Sequence, residues 1–230
     1  MIKGEFNKFC KRFILGMSNS SQIVKIGDDL EFSIDSFITP GCYEGDLSSI
    51  IIPEGLVVDR VKKLAHEIHE SLGDVPLILL CILKGSYKFF TTLVDELTIA
   101  RRNCTTSLTV EFIRAKSYDG TASTGHLQII GLESLDELKG QNVVIIEDIV
   151  DSGLTLHRLI KTVKDNGASN IWTAILLSKR VKRTNEVPEN FVAFSIPDKF
   201  IVGYGLDYNQ KFRDLNHIAA MSKSGIAKYK

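Results

Sequence analysis

The chain has 230 residues, enough for one substantial domain with a real core and a small appendage. Its hydrophobic share of 44% and charged share of 24% are those of an ordinary soluble globular protein. Lys+Arg and Asp+Glu both number 28, and that balance argues against a nonspecific nucleic-acid coat and a polybasic membrane anchor.

Residues 1–33 mix charge, Ser and Gly without sustained periodicity, which predicts an N-terminal extension with at most short elements. Ile50-Ile51-Ile52 reads as a short strand stopped by Pro53. Val57, Val58, Val61, Leu64, Ala65 and Ile68 then recur at helical spacing, predicting an amphipathic helix that ends before Gly73. Leu77 to Leu83 is continuously apolar, as in a strand buried on both faces. Tyr87 to Leu97 reads as a helix with Phe89, Phe90, Leu93, Val94 and Leu97 turned inward. Leu108, Val110 and Phe112 alternate with polar neighbours, predicting a more exposed strand. The polar stretch Lys116 to Gly125 is the expected mobile loop.

Val143-Val144-Ile145-Ile146 is the strongest strand signal in the chain. A turn at Asp151 to Gly153 leads into a helix carrying Leu156, Leu159, Ile160 and Val163, closed by Gly167. Ile171 to Leu177, Phe191 to Ile196 and Phe200 to Val202 are further strands. Alternating strands and helices predict an α/β fold, a mainly parallel central sheet flanked by helices.

In open α/β sheets, ligands bind at the carboxyl ends of strands, where a loop runs into the next helix. Asp151-Ser152-Gly153-Leu154-Thr155 holds such a place. Gly153 permits unusual backbone angles, the turn's amides can converge on a phosphate at the helix N-terminus, and Ser152 and Thr155 add hydroxyls. The GxxxxGK[ST] spacing of a Walker loop is absent. Glu147, Asp148 and Asp151 are unexpected around a phosphate alone. They suit sugar hydroxyls, a proton in transfer, or a hydrated magnesium ion. The plainer alternative makes Asp151 a helix cap and Glu147 and Asp148 solvated strand-end charges.

Read together, the string Val143 to Thr155, VVIIEDIVDSGLT, resembles the phosphoribosyl-diphosphate motif of type I phosphoribosyltransferases over thirteen consecutive positions. Leu83 to Phe90, Arg114 to Tyr118, and Phe200 to Asn209 continuing through Phe212 to His217 are similar to the hypoxanthine-guanine phosphoribosyltransferase family. That resemblance runs from about Ile34 to Lys230. It implies a phosphoribosyltransferase domain over 34–230, with a small hood built from its N- and C-terminal segments. It also implies purine salvage, in which hypoxanthine or guanine displaces pyrophosphate from 5-phosphoribosyl 1-diphosphate to give IMP or GMP. Asp151 matches the family's general base. Glu147 and Asp148 match the acids that meet the ribose hydroxyls directly or through Mg2+, and residues Asp151, Ser152, Gly153, Leu154 and Thr155 would hold the 5'-phosphate. Lys84 and Gly85 match the pyrophosphate loop, whose Leu83–Lys84 peptide can be cis in relatives. Lys179 matches the donor to the purine 6-oxo group, Phe200 the stacking aromatic, and Ile201 the backbone reader of the base edge. Asp207 matches an acid linked to a second magnesium ion, Arg213 a pyrophosphate-binding arginine, and Ser117 and Tyr118 the lid. The family also implies a homodimer or homotetramer.

Three features depart from the family pattern. Ser152 replaces a commoner threonine, Leu154 stands where relatives often have a polar or basic residue, and Lys179-Arg180-Val181-Lys182-Arg183 lacks the usual Thr-Pro. The competing reading is a noncatalytic phosphoribosyl-diphosphate or nucleotide regulator of the same fold. Residue by residue, the bland alternatives are a surface lysine at Lys84, strand core at Phe200 and Ile201, and a surface ion pair for Asp207 and Arg213. His66 and His69 lie three apart on a helix without HExxH or a third ligand, so they are not read as a metal site. Cys10, Cys42, Cys81 and Cys104 form no CxxC pair and no disulfide framework. No apolar run is as long as a membrane span, and Phe13-Ile14-Leu15 is too short for a signal-peptide core. A cytoplasmic protein without nucleic-acid or membrane partners is expected.

Overall fold

Two sheets form the molecule. The computed structural model describes residues 22–117, 127–131 and 134–230. The larger sheet has seven strands, beginning at one edge with β1 (Val24–Lys25), β8 (Phe191–Ile196) and β7 (Asn170–Lys179). It continues through β6 (Asn142–Val150), β3 (Leu77–Leu83), β4 (Leu108–Ser117) and β5 (Leu127–Ile130). All neighbours are parallel except the last pair, where β5 runs against β4 from Ser117↔Leu127 to Arg114↔Ile130. A separate antiparallel sheet joins β2 (Leu47–Ile52), β10 (Ile218–Met221) and β9 (Ile201–Val202).

The period-2 rule explains the layering. Leu77, Leu79 and Cys81 of β3 face α1 (Glu54–Leu72) and α2 (Tyr87–Ala100), against which Val57, Val61, Leu64, Phe89 and Leu93 pack. Ile78, Leu80 and Ile82 point the other way, onto Leu156, Leu159 and Val163 of α3 (Leu154–Asp165). A central strand with helices on both faces must be apolar throughout, and β3 is. Helix α1 ends at Gly73, whose φ of +69° suits glycine and whose amide donates to the His69 carbonyl at 2.8 Å.

Several elements differ from expectation. Strand β4 continues through Ser117, so Lys116 and Ser117 belong to a strand rather than to the expected loop; residues 118–126 lie outside the described residues. Val110 and Phe112 are exposed, as expected of this strand, and Phe112 meets the Phe90 ring at 5.1 Å. The short elements β1, β5, β10 and α4 (Lys223–Lys228) carry no recognisable period in the sequence.

The entry to β3 is fastened by Asp74, which accepts hydrogen bonds from the amides and hydroxyls of Thr105 and Thr106 at 2.7–3.1 Å. These bonds hold its carboxyl well below the usual range, with the Thr105 amide contributing most. A depressed carboxyl stabilises the fold above its ordinary pKa near 4, and that contribution fades as pH falls toward the folded-state value. Asp74→Ala should therefore melt below the parent at pH 7. The difference should shrink steadily below about pH 4, as read by thermal denaturation across a pH series; a gap that widens in acid would contradict the assignment.

Candidate active site

Strand β6 is longer than its apolar stretch. Its pairing with β7 continues through Glu147↔Ile175, Ile149↔Leu177 and Val150↔Ser178. Glu147 and Asp148 are thus strand residues, because β7 reaches Lys179 alongside and holds them extended. The turn itself is Asp151-Ser152-Gly153. Gly153 is left-handed at φ +77°, and a Cβ there would lie 2.8 Å from the Asn185 carbonyl oxygen, so glycine is required twice over. Gly153, not Asp151, caps α3. The Leu154 amide donates weakly to Ser152 Oγ at 3.4 Å, while α3's other first-turn amides have no acceptor inside the helix. Glu147, Asp151, Ser152, Gly153, Leu154 and Thr155 line one pocket at this helix N-terminus, the arrangement that suits a phosphate.

At the adjacent end of β7, Lys179 is 11% exposed. Its ammonium donates to Asp151 Oδ2 at 3.0 Å and to Asp198 Oδ1 at 3.4 Å. Asp151 is 58% exposed, so one carboxylate oxygen stays open to an incoming group. Asp198 carries no signal of its own in the sequence; Pro197-Asp198 marks only a break between strands there, and nothing local forecasts its partner.

A second group gathers where β3 ends. The Leu83–Lys84 peptide is cis. A Cβ on Gly85 would lie 1.6 Å from Asp148 Oδ2, and a Cβ on Gly205 would lie 2.2 Å from the Gly85 carbonyl oxygen. The Gly85 backbone therefore lies against the Asp148 carboxylate on one side and the Gly205 backbone on the other. Arg213 completes the group: it pairs with Asp207 at 2.6 Å and donates to the Gly205 carbonyl at 2.7 Å. Lys84 Nζ donates to Gln210 Oε1 at 2.9 Å, and the Gln210 amide donates to Asp207 Oδ2 at 2.8 Å. Lys84, Gly85, Asp148, Asp207 and Arg213 thus form one cluster from distant parts of the chain.

Phe200 is 44% exposed, not strand core, and meets Tyr208 edge-on at 4.9 Å. Ile201 beside it is buried. Ser117 ends β4, paired with Leu127, and Tyr118 lies outside the described residues.

Glu147 is only 8% exposed, so it is no solvated strand-end charge. Burial holds its carboxyl well above the ordinary range, and the neighbouring Asp148 raises it further. Burial also raises Asp148, against the opposing pull of its contact with Glu147, the Ile149 amide and the Arg213 charge. Among the described residues no three His, Cys, Asp or Glu side chains gather as a metal cage. The carboxylates of Glu147, Asp148 and Asp207 instead fit a cation that keeps most of its waters and uses one or two carboxylates with substrate oxygens, as Mg2+ does.

A parallel sheet with a phosphate-suited turn after a central strand, acids in that strand and the charges of Lys84 and Arg213 beside them have the parts of a phosphoribosyl-transferring enzyme. The family model for the phosphoribosyl transferase domain matches residues 51–209. Hypoxanthine-guanine phosphoribosyltransferase of Rattus norvegicus is 45% identical over 93% of this chain and all of its own length; that of Homo sapiens is 44% identical with the same coverage. A solved structure of the Schistosoma mansoni hypoxanthine-guanine phosphoribosyltransferase in complex with IMP superposes with a TM-score of 0.76 at 33% identity, covering 90% of this chain and 98% of that one. A hypoxanthine phosphoribosyltransferase from Staphylococcus aureus gives 0.71 at 29% identity, covering 81% and 98%. The chain belongs to the hypoxanthine-guanine phosphoribosyltransferase family.

The tight approach of Gly85 to Asp148 is testable. Gly85→Ala should destabilise the protein by about 1–3 kcal/mol, the usual cost of overpacking. Adding Asp148→Ala should recover more than ~0.5 kcal/mol of it in a double-mutant cycle. Strict additivity in denaturant melts would mean the two groups do not touch.

Proposed function

We propose that the enzyme converts hypoxanthine or guanine and 5-phosphoribosyl 1-diphosphate to IMP or GMP and pyrophosphate. The observation that carries this reading is the Lys179 ammonium, shielded from solvent and anchored between Asp151 and Asp198. A fixed donor at that point favours a 6-oxo acceptor and repels a 6-amino group, whose own donors would meet it unpaired. The named activity of the rat and human relatives and the IMP held by the Schistosoma mansoni enzyme support the same substrate class.

In this reading a purine ring nitrogen attacks C1 of the ribose as the C1–O bond to diphosphate breaks, and the nitrogen's proton passes to the open oxygen of Asp151. Asp151 also offsets the positive charge that develops on the sugar. The turn at Asp151, Ser152, Gly153, Leu154 and Thr155 holds the 5'-phosphate, and Phe200 and Ile201 bind the base. Lys84, Gly85 and Arg213 take the leaving pyrophosphate, and Ser117 and Tyr118 close over it. Mg2+, held through Glu147, Asp148 and Asp207, supplies positive charge to the diphosphate when bound. We assign residues 34–230 to the transferase domain and the antiparallel sheet of β2, β9 and β10 to its hood. We further read the enzyme as a cytoplasmic homodimer or homotetramer; among the described residues no helix is long and apolar enough to cross a membrane.

Purified protein assayed with Mg2+, phosphoribosyl diphosphate and each of hypoxanthine, guanine, xanthine and adenine should form IMP and GMP but little AMP. Tight diphosphate binding without nucleotide formation would point instead to a regulator. Asp151→Asn should lower kcat by roughly 100- to 10,000-fold, the range for loss of a general base, while leaving diphosphate affinity intact; unchanged turnover would remove Asp151 from that role. Lys179→Ala should narrow the hypoxanthine-over-adenine ratio of kcat/KM, and an undiminished ratio would refute the selectivity argument.

A further inference from the structure

After β7 the chain leaves the sheet at Lys179, passes Arg180 to Lys182, and returns with Arg183 to the strand ends it has just left. The Arg183 Nη2 donates to the Val150 carbonyl at 3.3 Å, the Lys179 carbonyl at 3.2 Å and Ser178 Oγ at 2.8 Å. Its Nη1 donates to Glu189 Oε1 at 2.6 Å, and Glu189 also accepts the Ser178 hydroxyl at 3.0 and 3.2 Å. The guanidinium is 15% exposed, and Val150 and Ser178 are buried. These are not the contacts of a loose surface pair, which settles for one carboxylate in water.

Arg183's targets are the backbone supports of the two side chains that meet across the sheet. The Val150 carbonyl belongs to the peptide that joins Val150 to Asp151. The Lys179 carbonyl belongs to the residue whose ammonium contacts Asp151 at 3.0 Å. The two terminal nitrogens of one planar fork span both strand ends and a balancing carboxylate, a pattern that a lysine's single nitrogen does not reproduce. The same segment lies over the phosphate-suited turn, since the Asn185 carbonyl would sit 2.8 Å from a Cβ on Gly153 and Val187 close behind it.

We propose that Arg183 is a positioning residue for the transfer step: by tying the Val150 and Lys179 carbonyls together it sets the geometry of Asp151 against Lys179. The inference rests on the 6-oxopurine reading of those two side chains. Reacting groups must be held to within roughly 0.5 Å of their productive arrangement, and a misplacement of about 1 Å costs on the order of 100-fold in rate.

The test compares the full-length parent with Arg183→Met and Arg183→Lys, in kcat and KM for hypoxanthine and adenine, thermal melting, and a crystal structure of Arg183→Met. We expect Arg183→Met to lower kcat for hypoxanthine at least tenfold per folded molecule and to narrow the hypoxanthine-over-adenine ratio. Arg183→Lys should recover part of both, and the Val150 and Lys179 carbonyls should separate in the crystal. A general loss of folded protein would lower both purines alike and leave their ratio unchanged, and that result overturns the proposal, as does a parent-like kcat in Arg183→Met. If the parent itself forms no nucleotide, the 6-oxopurine reading fails. The crystal structure then decides alone, and carbonyls and an Asp151–Lys179 contact unmoved by the substitution overturn the positioning role.

Discussion

The backbone at Gly85 is pressed between the Asp148 carboxylate and the backbone of Gly205, with no space for a methyl group on either glycine. Gly85 follows β3, Asp148 lies near the end of β6, and Gly205 lies beyond β9, so this contact joins the large sheet to the small one. Among the described residues the two sheets share no strand pairing. They share a hydrophobic core, in which Ile51, Ile52, Ile201 and Ile218 of the small sheet join Leu79, Val144 and Phe194 of the large one. This close approach and stitches from the start of α2 add polar and steric ties. The Tyr87 hydroxyl donates to the Arg213 carbonyl, and Lys88 donates to the carbonyls of Asp214 and Leu215 and to Asn216 Oδ1. Burial lowers the Lys88 pKa, a sign that its charge is partly removed from water to make these bonds. Were Gly85 displaced, Lys84, Asp148 and the Asp207–Arg213 pair would lose their common frame together.

The sequence makes some of this legible and hides the rest for physical reasons. Strands β3, β6 and β7 are visible because burial on both faces demands unbroken apolar runs. Helices α1 and α3 are visible because one face of each must be apolar at helical spacing. The motif from Val143 to Thr155 discloses the turn and its acids. It does not disclose that Glu147 and Asp148 remain in the strand, because that depends on how far β7 runs alongside. Strand β10 is short and pairs with β2 from about 170 residues earlier, as in Ala219↔Ile50, a relation that no local period expresses. Phe200 looks like core by composition. It sits just before β9 and uses Tyr208 as an edge-on support instead of the interior.

Arg183 shows a different limit. The stretch from Lys179 to Arg183 is where the family pattern breaks, and a run of basic residues normally reads as a solvated face. In the fold only some of these charges are free. Arg180 donates to the carbonyls of Ile26 and Ser195 and pairs with Asp28, fastening the edge strand β1. Arg183 turns inward to the strand ends. Two arginines three positions apart thus serve opposite margins of β7, and only the return path of the chain distinguishes them.

The acids of β6 complete the physical picture. Glu147 and Asp148 stand adjacent, drawn from water, with carboxyls raised above the ordinary range. The Arg213 charge relieves Asp148 only in part and pairs directly with Asp207 at 2.6 Å. Ionising both acids in this setting is unfavourable until something brings hydrogen-bond donors or positive charge to them. Ribose hydroxyls and a hydrated cation bring both, and under the proposed reading they arrive together with phosphoribosyl diphosphate. The strand end is then matched to its substrate by the same burial that disfavours its charge when alone. A pair of fully solvated carboxylates at this position would gain far less from the substrate's arrival, because water would already satisfy them.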